Sequence, residues 1–302
     1  MHAFAGIYTP LATPFGADGS LDTRALTRNV EKYLQSPLTG LVVLGSNGEA
    51  PQLEEDEADL AIKTVRTAMP KDRPLLAGTG RESTAATIAA TRRAADLGVD
   101  AVLVRTPAFY KGQMTTDAFV RHYTQVADRS PVPVLLYNVT IYTGVNLLPD
   151  AVGILSRHPN IVGIKETNSD MVQFGEYLAR AEEGFTVLAG SGATYYSALA
   201  LGAHGAILAV GGVAPQLCVD IFTAVRDGRF ADAKAMHRRL SPLSKLLGAT
   251  HGVPGLKAAL ALCGYEGGHP RPPLQPVPPA AVDAIRIALA ELNLLETTNA
   301  AR

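Results

Sequence analysis

The stretch N160-I-V-G-I-K-E-T167 reads as a short buried strand that ends in a lysine. Val162, Ile164 and the glycine between them leave no polar group until Lys165, and Glu166 and Thr167 follow at once. A solvated surface lysine needs no apolar run before it. Seven similar runs lie along the chain: 6–15, 40–46, 73–80, 100–107, 131–139, 185–192 and 204–212. Helix-like stretches such as LDTRALTRNVEKYLQ, EEDEADLAIKTVRTAM, STAATIAATRRAADLG and TTDAFVRHYTQVAD separate them, several opening on Ser, Thr or Asp at the N-cap position. Eight strands alternating with helices predict a parallel sheet. Their even spacing favours closure into a (β/α)8 TIM barrel, and no G-x-G-x-x-G follows the first strand, which argues against an open dinucleotide-binding sheet. Past Gly212 no further strand is expected. The division is therefore a barrel over 1–212 and a helical C-terminal extension over 213–302, forming a single functional unit, with G267-G-H-P-R-P-P-L-Q-P-V-P-P279 as a loop too rich in proline for helix.

Composition narrows the partners. The 302 residues are 47% hydrophobic and 18% charged with a net charge of −1, so a soluble core is affordable and no basic surface suggests nucleic acid. Glu54–Glu57 reads as the polar side of a helix. Cys218 and Cys263 are too far apart in the chain for metal-ligand spacing and read as reduced core thiols. The N-terminus lacks the charged and apolar regions of a signal peptide, and no apolar run approaches a membrane span. A cytoplasmic protein without metal or other cofactor is the expectation. The seven histidines are scattered; His204 and His251 are read as capping or surface residues.

Side chains at the C-terminal ends of barrel strands face the active site. Lys165 would then project into the mouth between apolar walls, where desolvation disfavours the ammonium form. A neutral amine attacks a keto carbon to form a Schiff base. A lysine that snorkels outward or pairs with Glu166 is the alternative. Tyr137, at the end of LLYN, is a phenol able to pass the proton when a carbinolamine loses water. In G45-S-N-G-E-A50, Gly45 and Gly48 permit a tight turn whose N–H groups gather around a carboxylate, with Ser46 and Asn47 adding side-chain donors.

Taken in order, Gly45-Ser46-Asn47-Gly48-Glu49, Tyr137-Asn138 with Thr143-Gly144, Gly163-Ile164-Lys165-Glu166 and Ala189-Gly190-Ser191 resemble the dihydrodipicolinate synthase / N-acetylneuraminate lyase superfamily of Schiff-base, pyruvate-handling barrels. The similarity runs from TPLATPFGADGSLD (9–22) to GVPGLKAAL (252–260). Within the superfamily, LLAGTGRESTAATI (75–88), RHPNIVGIK (157–165) and GYEGGHPRPPLQ (264–275) look most like 4-hydroxy-2-oxoglutarate aldolase.

The resemblance implies that Lys165 forms the imine and Tyr137 relays protons. It implies that Ser46 and Asn47 bind the pyruvyl carboxylate, and that Thr167, Gly190 and Ile207 line the pocket. It also implies a homotetramer built as a dimer of dimers. Cleavage of 4-hydroxy-2-oxoglutarate to pyruvate and glyoxylate is the leading expectation. 4-Hydroxy-tetrahydrodipicolinate synthesis and keto-deoxy sugar-acid aldolase or dehydratase chemistry are the alternatives, and a keto-acid-binding barrel is the non-enzymatic one.

Three departures bear on this. Ser46-Asn47 stands where dihydrodipicolinate synthases carry Thr-Thr. Tyr142 stands where they carry an arginine, removing a bidentate carboxylate contact, and Thr140 stands where a proline is common. Phe109 aligns with a tyrosine that family members supply across a subunit interface, and the adjacent Tyr110 is the residue that would substitute for it. Arg105, at the end of the fourth strand, is a further candidate for contact with a distal substrate carboxylate.

Overall fold

Each of the eight apolar runs contains one strand, and a computed structural model describes residues 2–295. The strands are β1 (Gly6–Pro10), β2 (Gly40–Val43), β3 (Leu75–Gly78), β4 (Ala101–Arg105), β5 (Val134–Asn138), β6 (Ile161–Glu166), β7 (Thr186–Ala189) and β8 (Gly205–Ile207). They pair in parallel in chain order, and β8 closes on β1 through Gly6 opposite Gly205 and Tyr8 opposite Ile207. The barrel interior is filled by Tyr8, Val42, Leu76, Leu103, Leu135 and Leu188, all 0–1% exposed. This is a packed core, as closure of eight tilted strands requires.

Helices α1 (Thr23–Leu34), α2 (Glu55–Ala68), α3 (Thr84–Asp96) and α4 (Thr116–Arg129) follow the first four strands. Asp22, Ser83 and Thr115 accept N-cap hydrogen bonds from Ala25, Ala86 and Thr115's own third successor, Ala118. Glu54 and Glu57 close a capping box at the start of α2. Next come α5 (Thr140–Thr143), α6 (Pro149–Leu155), α7 (Met171–Arg180), α8 (Tyr195–Ala200) and α9 (Pro215–Arg226). Beyond them are α10 (Phe230–Lys245), a π-helical turn Leu246–Thr250, α11 (Gly252–Leu262) and α12 (Pro279–Glu291).

The proline-rich 267–278 segment is non-helical, and side chains tie it down. His269 pairs as an isolated bridge with Phe15, and the Arg271 guanidinium binds Glu57 and lies 4.1 Å from the Phe15 ring centroid. Glu57 is thus more than a solvated charge. Cys218 and Cys263 are buried free thiols. Among the described residues no helix is long and apolar enough to cross a membrane. Residues 296–302 of the expected extension lie outside the described residues.

Candidate active site

Alternation along β6 separates the two charges at its end. Ile164 and Glu166 point into the layer between strand and helix, and Lys165 points into the barrel mouth. Glu166 is bound on the outside by Asn138 Nδ2 (2.8 Å), Gln173 Nε2 (3.2 Å) and the Asn168 backbone N–H. Burial holds its carboxyl above the usual range despite these donors. Lys165 therefore has no partner in Glu166. Its Nζ lies 4.3 Å from the Tyr137 ring centroid, and the whole residue is 3% exposed. Parallel register sets Tyr137 directly beside Lys165 and Arg105 beside Tyr137, so three neighbouring strands deliver these side chains to one level.

Ser46 Oγ lies 3.3 Å from the Tyr137 hydroxyl, the contact that links the loop after β2 to the strand-end residues. That loop is a 3₁₀ turn over Ser46–Gly48, so the N–H groups at its start have no partner inside the turn. Its left-handed residues are Leu44 (φ 56°) and Glu49 (φ 56°), while Gly45 has φ −74°. The expected tight turn is present, and its strained backbone positions are Leu44 and Glu49 rather than a glycine. At Gly48 the constraint is space, since a Cβ there would sit 3.1 Å from the Leu11 carbonyl oxygen.

Glu49 in its left-handed conformation is held by a residue that sequence reasoning missed. Lys257 of α11 places its ammonium against the Glu49 carboxylate and donates to the carbonyls of Thr13 (2.8 Å) and His269 (2.6 Å). The Arg271 backbone N–H completes the clamp on Glu49 at 2.8 Å. Burial lowers the Lys257 pKa, and Glu49 partly offsets it. The signal was present in GSNGE and GVPGLKAAL, but nothing local pairs positions so distant.

Asn47, Tyr137, Lys165, Thr167, Gly190, Ile207 and Tyr142 line one cavity of about 340 Å³. Gly190 is required there, because a Cβ would lie 2.4 Å from Thr167 Oγ1 and 3.0 Å from Lys165 Cε. Thr167 Oγ1 is buried without a protein partner. A second chamber of about 590 Å³ shares Ile141, Tyr142, Gly248 and Ala249 with the first and is bordered by Ser46, Arg105 and His251. Arg105 faces this mouth, but its Nη1 binds Glu82 at 2.7 Å. Tyr110 is 71% exposed and lines neither chamber of its own chain; it stacks edge-on against Phe109. His204 stacks on His2 and accepts from the Val187 N–H near the N-terminal ends of β7 and β8.

A closed barrel with a buried lysine at the end of β6, facing a phenol, defines a carbon–carbon lyase of the Schiff-base type. Residues 3–291 match the Dihydrodipicolinate synthetase family, and the chain belongs to that family of pyruvate-dependent aldolases. It is 39% identical over 294 residues to a 4-hydroxy-tetrahydrodipicolinate synthase of Xanthomonas axonopodis pv. citri, covering 97% of this chain and 96% of the relative. The chloride-inhibited dihydrodipicolinate synthase of Acinetobacter baumannii complexed with pyruvate superposes with a TM-score of 0.92 at 29% identity, covering 97% and 100% of the two chains. A dihydrodipicolinate synthase variant described as monomeric gives 0.92 at 32% identity, covering 97% and 98%. The relatives thus carry the name of the alternative expectation, dihydrodipicolinate synthesis, rather than that of 4-hydroxy-2-oxoglutarate aldolase.

Proposed function

We propose that Lys165 forms an imine with the keto carbon of pyruvate and that this enzyme makes or breaks the adjacent carbon–carbon bond. The observation that carries the reading is the Lys165 amine buried against Tyr137, itself in contact with Ser46. The amine attacks C2, and the Tyr137 hydroxyl passes the proton that leaves with water from the carbinolamine. The resulting iminium accepts the electron pair released when the C3–C4 bond of an aldol substrate breaks, leaving pyruvate as an enamine and freeing an aldehyde. Protonation at C3 and hydrolysis return the amine. The turn bearing Ser46 and Asn47 receives the pyruvyl carboxylate.

Two aldehydes compete. The names of the relatives support aspartate semialdehyde in the synthetic direction. Tyr142, in the place of the arginine that binds that substrate in the resembling synthases, supports glyoxylate, and hence 4-hydroxy-2-oxoglutarate cleavage. Borohydride reduction with pyruvate, followed by peptide mass analysis, should add one reduced pyruvyl group at Lys165; absence of that adduct overturns the reading. Product analysis with each aldehyde separates the two arms. We further propose a cytoplasmic homotetramer, supported by Phe109 and Tyr110 standing 77% and 71% exposed on one chain. Sedimentation of a monomer at micromolar concentration would exclude that assembly.

A further inference from the structure

We propose that Lys245 binds the distal carboxylate of a dicarboxylic 2-keto acid held on Lys165, so that this side chain selects the substrate class. The proposal rests on the Schiff-base reading. Lys245 is the last residue of α10, and the π turn that follows it carries Leu247, Gly248 and Ala249 along the wall of the Lys165 cavity. The end of α10 and the π turn after it therefore line the cavity together.

Charge decides what the cavity accepts. Among the described residues lining it, there are two cations, Lys165 and Lys245, and no aspartate or glutamate. Lys245 has no carboxylate within ion-pair distance among the described residues, whereas Arg105, which borders the neighbouring chamber, is already neutralised by Glu82 at 2.7 Å. Lys245 is therefore the available cation and Arg105 is not. Once the substrate is an iminium, its nitrogen keeps one positive charge, and a dianionic keto acid then leaves the cavity neutral with Lys245 included. A monocarboxylic substrate leaves an uncompensated ammonium, and the hydroxyl end of a sugar acid does no better. Ser169, Ser191 and Ser244 line the same cavity and add hydroxyl donors to it.

Two keto acids that differ only at the far end test this: 2-oxoglutarate carries a carboxylate at C5, and 2-oxopentanoate carries a methyl group. Each forms the imine with loss of water, and borohydride delivers hydride to the imine carbon, leaving a stable secondary amine that intact mass records. The wild-type enzyme should half-saturate with 2-oxoglutarate at a concentration about tenfold or more below that for 2-oxopentanoate, the size of one charge-assisted hydrogen bond. Lys245→Met should bring the ratio close to one and Lys245→Arg should keep most of it. Because Lys245 is exposed, high salt should shrink the wild-type preference. A wild-type enzyme without preference, or a preference that survives Lys245→Met, overturns the proposal while pyruvate trapping leaves the Schiff-base reading standing. Failure of every keto acid, pyruvate included, to modify the wild-type enzyme overturns both.

Discussion

The Lys257 ammonium stands 2.5 Å from the Glu49 carboxylate, with both side chains almost completely removed from water. The pair joins α11 to the turn that carries Ser46 and Asn47. Removing one member leaves the other charged and buried, a loss of about 3–5 kcal/mol. Lys257→Met should therefore lower stability by that order in urea denaturation. In the fraction that folds, it should raise the half-saturating pyruvate concentration more than it slows the saturated rate, because the carboxylate turn loses its fixed position. The double variant Glu49→Gln/Lys257→Met should recover much of the stability and little of the pyruvate affinity.

Tyr137 stands between Lys165 and Ser46, its ring against the lysine and its hydroxyl against the serine. Tyr137→Phe keeps the ring against the lysine and deletes the proton carrier. Turnover should fall roughly 100- to 10,000-fold, the range for loss of a general acid–base group. Borohydride trapping of pyruvate at Lys165 should slow but still go to completion, which stopped-flow quenching can follow.

At Gly190 a methyl group has nowhere to go. Gly190→Ala should reduce kcat/KM on the order of 100-fold through displacement of Lys165 and Thr167. Adding Thr167→Ser, which keeps Oγ, should not restore activity, because the Glu166 carbonyl oxygen at 2.9 Å also opposes the new methyl. Steady-state kinetics on the two variants checks both statements.

Glu166 accepts from donors only, with Asn138 and Gln173 sharing one oxygen and the Asn168 N–H holding the other. Glu166→Gln turns one acceptor into a donor facing donors. Stability should drop by about 1–3 kcal/mol, the cost of buried polar groups left unmatched, read from urea midpoints.

His122 is buried with Nδ1 on Thr84, and burial lowers its pKa from 6.5 to about 4. Above pH 6.5 the imidazole is neutral in folded and unfolded chains, and its contribution to stability is fully present. Between 6.5 and about 4 the unfolded chain takes up the proton and the folded one does not, so stability falls as pH falls. The loss amounts to roughly 3 kcal/mol over the window. Unfolding curves of His122→Gln against pH should lack that part of the wild-type decline.

Much of the architecture was legible in the linear chain because it is local. Alternation along a strand sends Lys165 inward and Glu166 outward, and apolar runs between helices mark all eight strands, which are three to six residues long. The capping residues Asp22, Ser83 and Thr115 act through hydrogen bonds that reach only three residues along the chain. The lysine, the phenol and the turn after β2 follow from the rule that strand ends face the mouth, so their convergence was also within reach.

By itself, then, the sequence determined the strand count, the order of the βα units and the level at which Lys165 and Tyr137 stand. Those depend on periodicity, and periodicity is written into neighbouring residues. Tertiary structure alone decided that Lys257 restrains Glu49, that Arg105 is taken up by Glu82, and that Lys245 at the end of α10 lines the Lys165 cavity. Such pairings are fixed by barrel closure and by the docking of the C-terminal helices, which bring together charges whose positions in the chain have no common period.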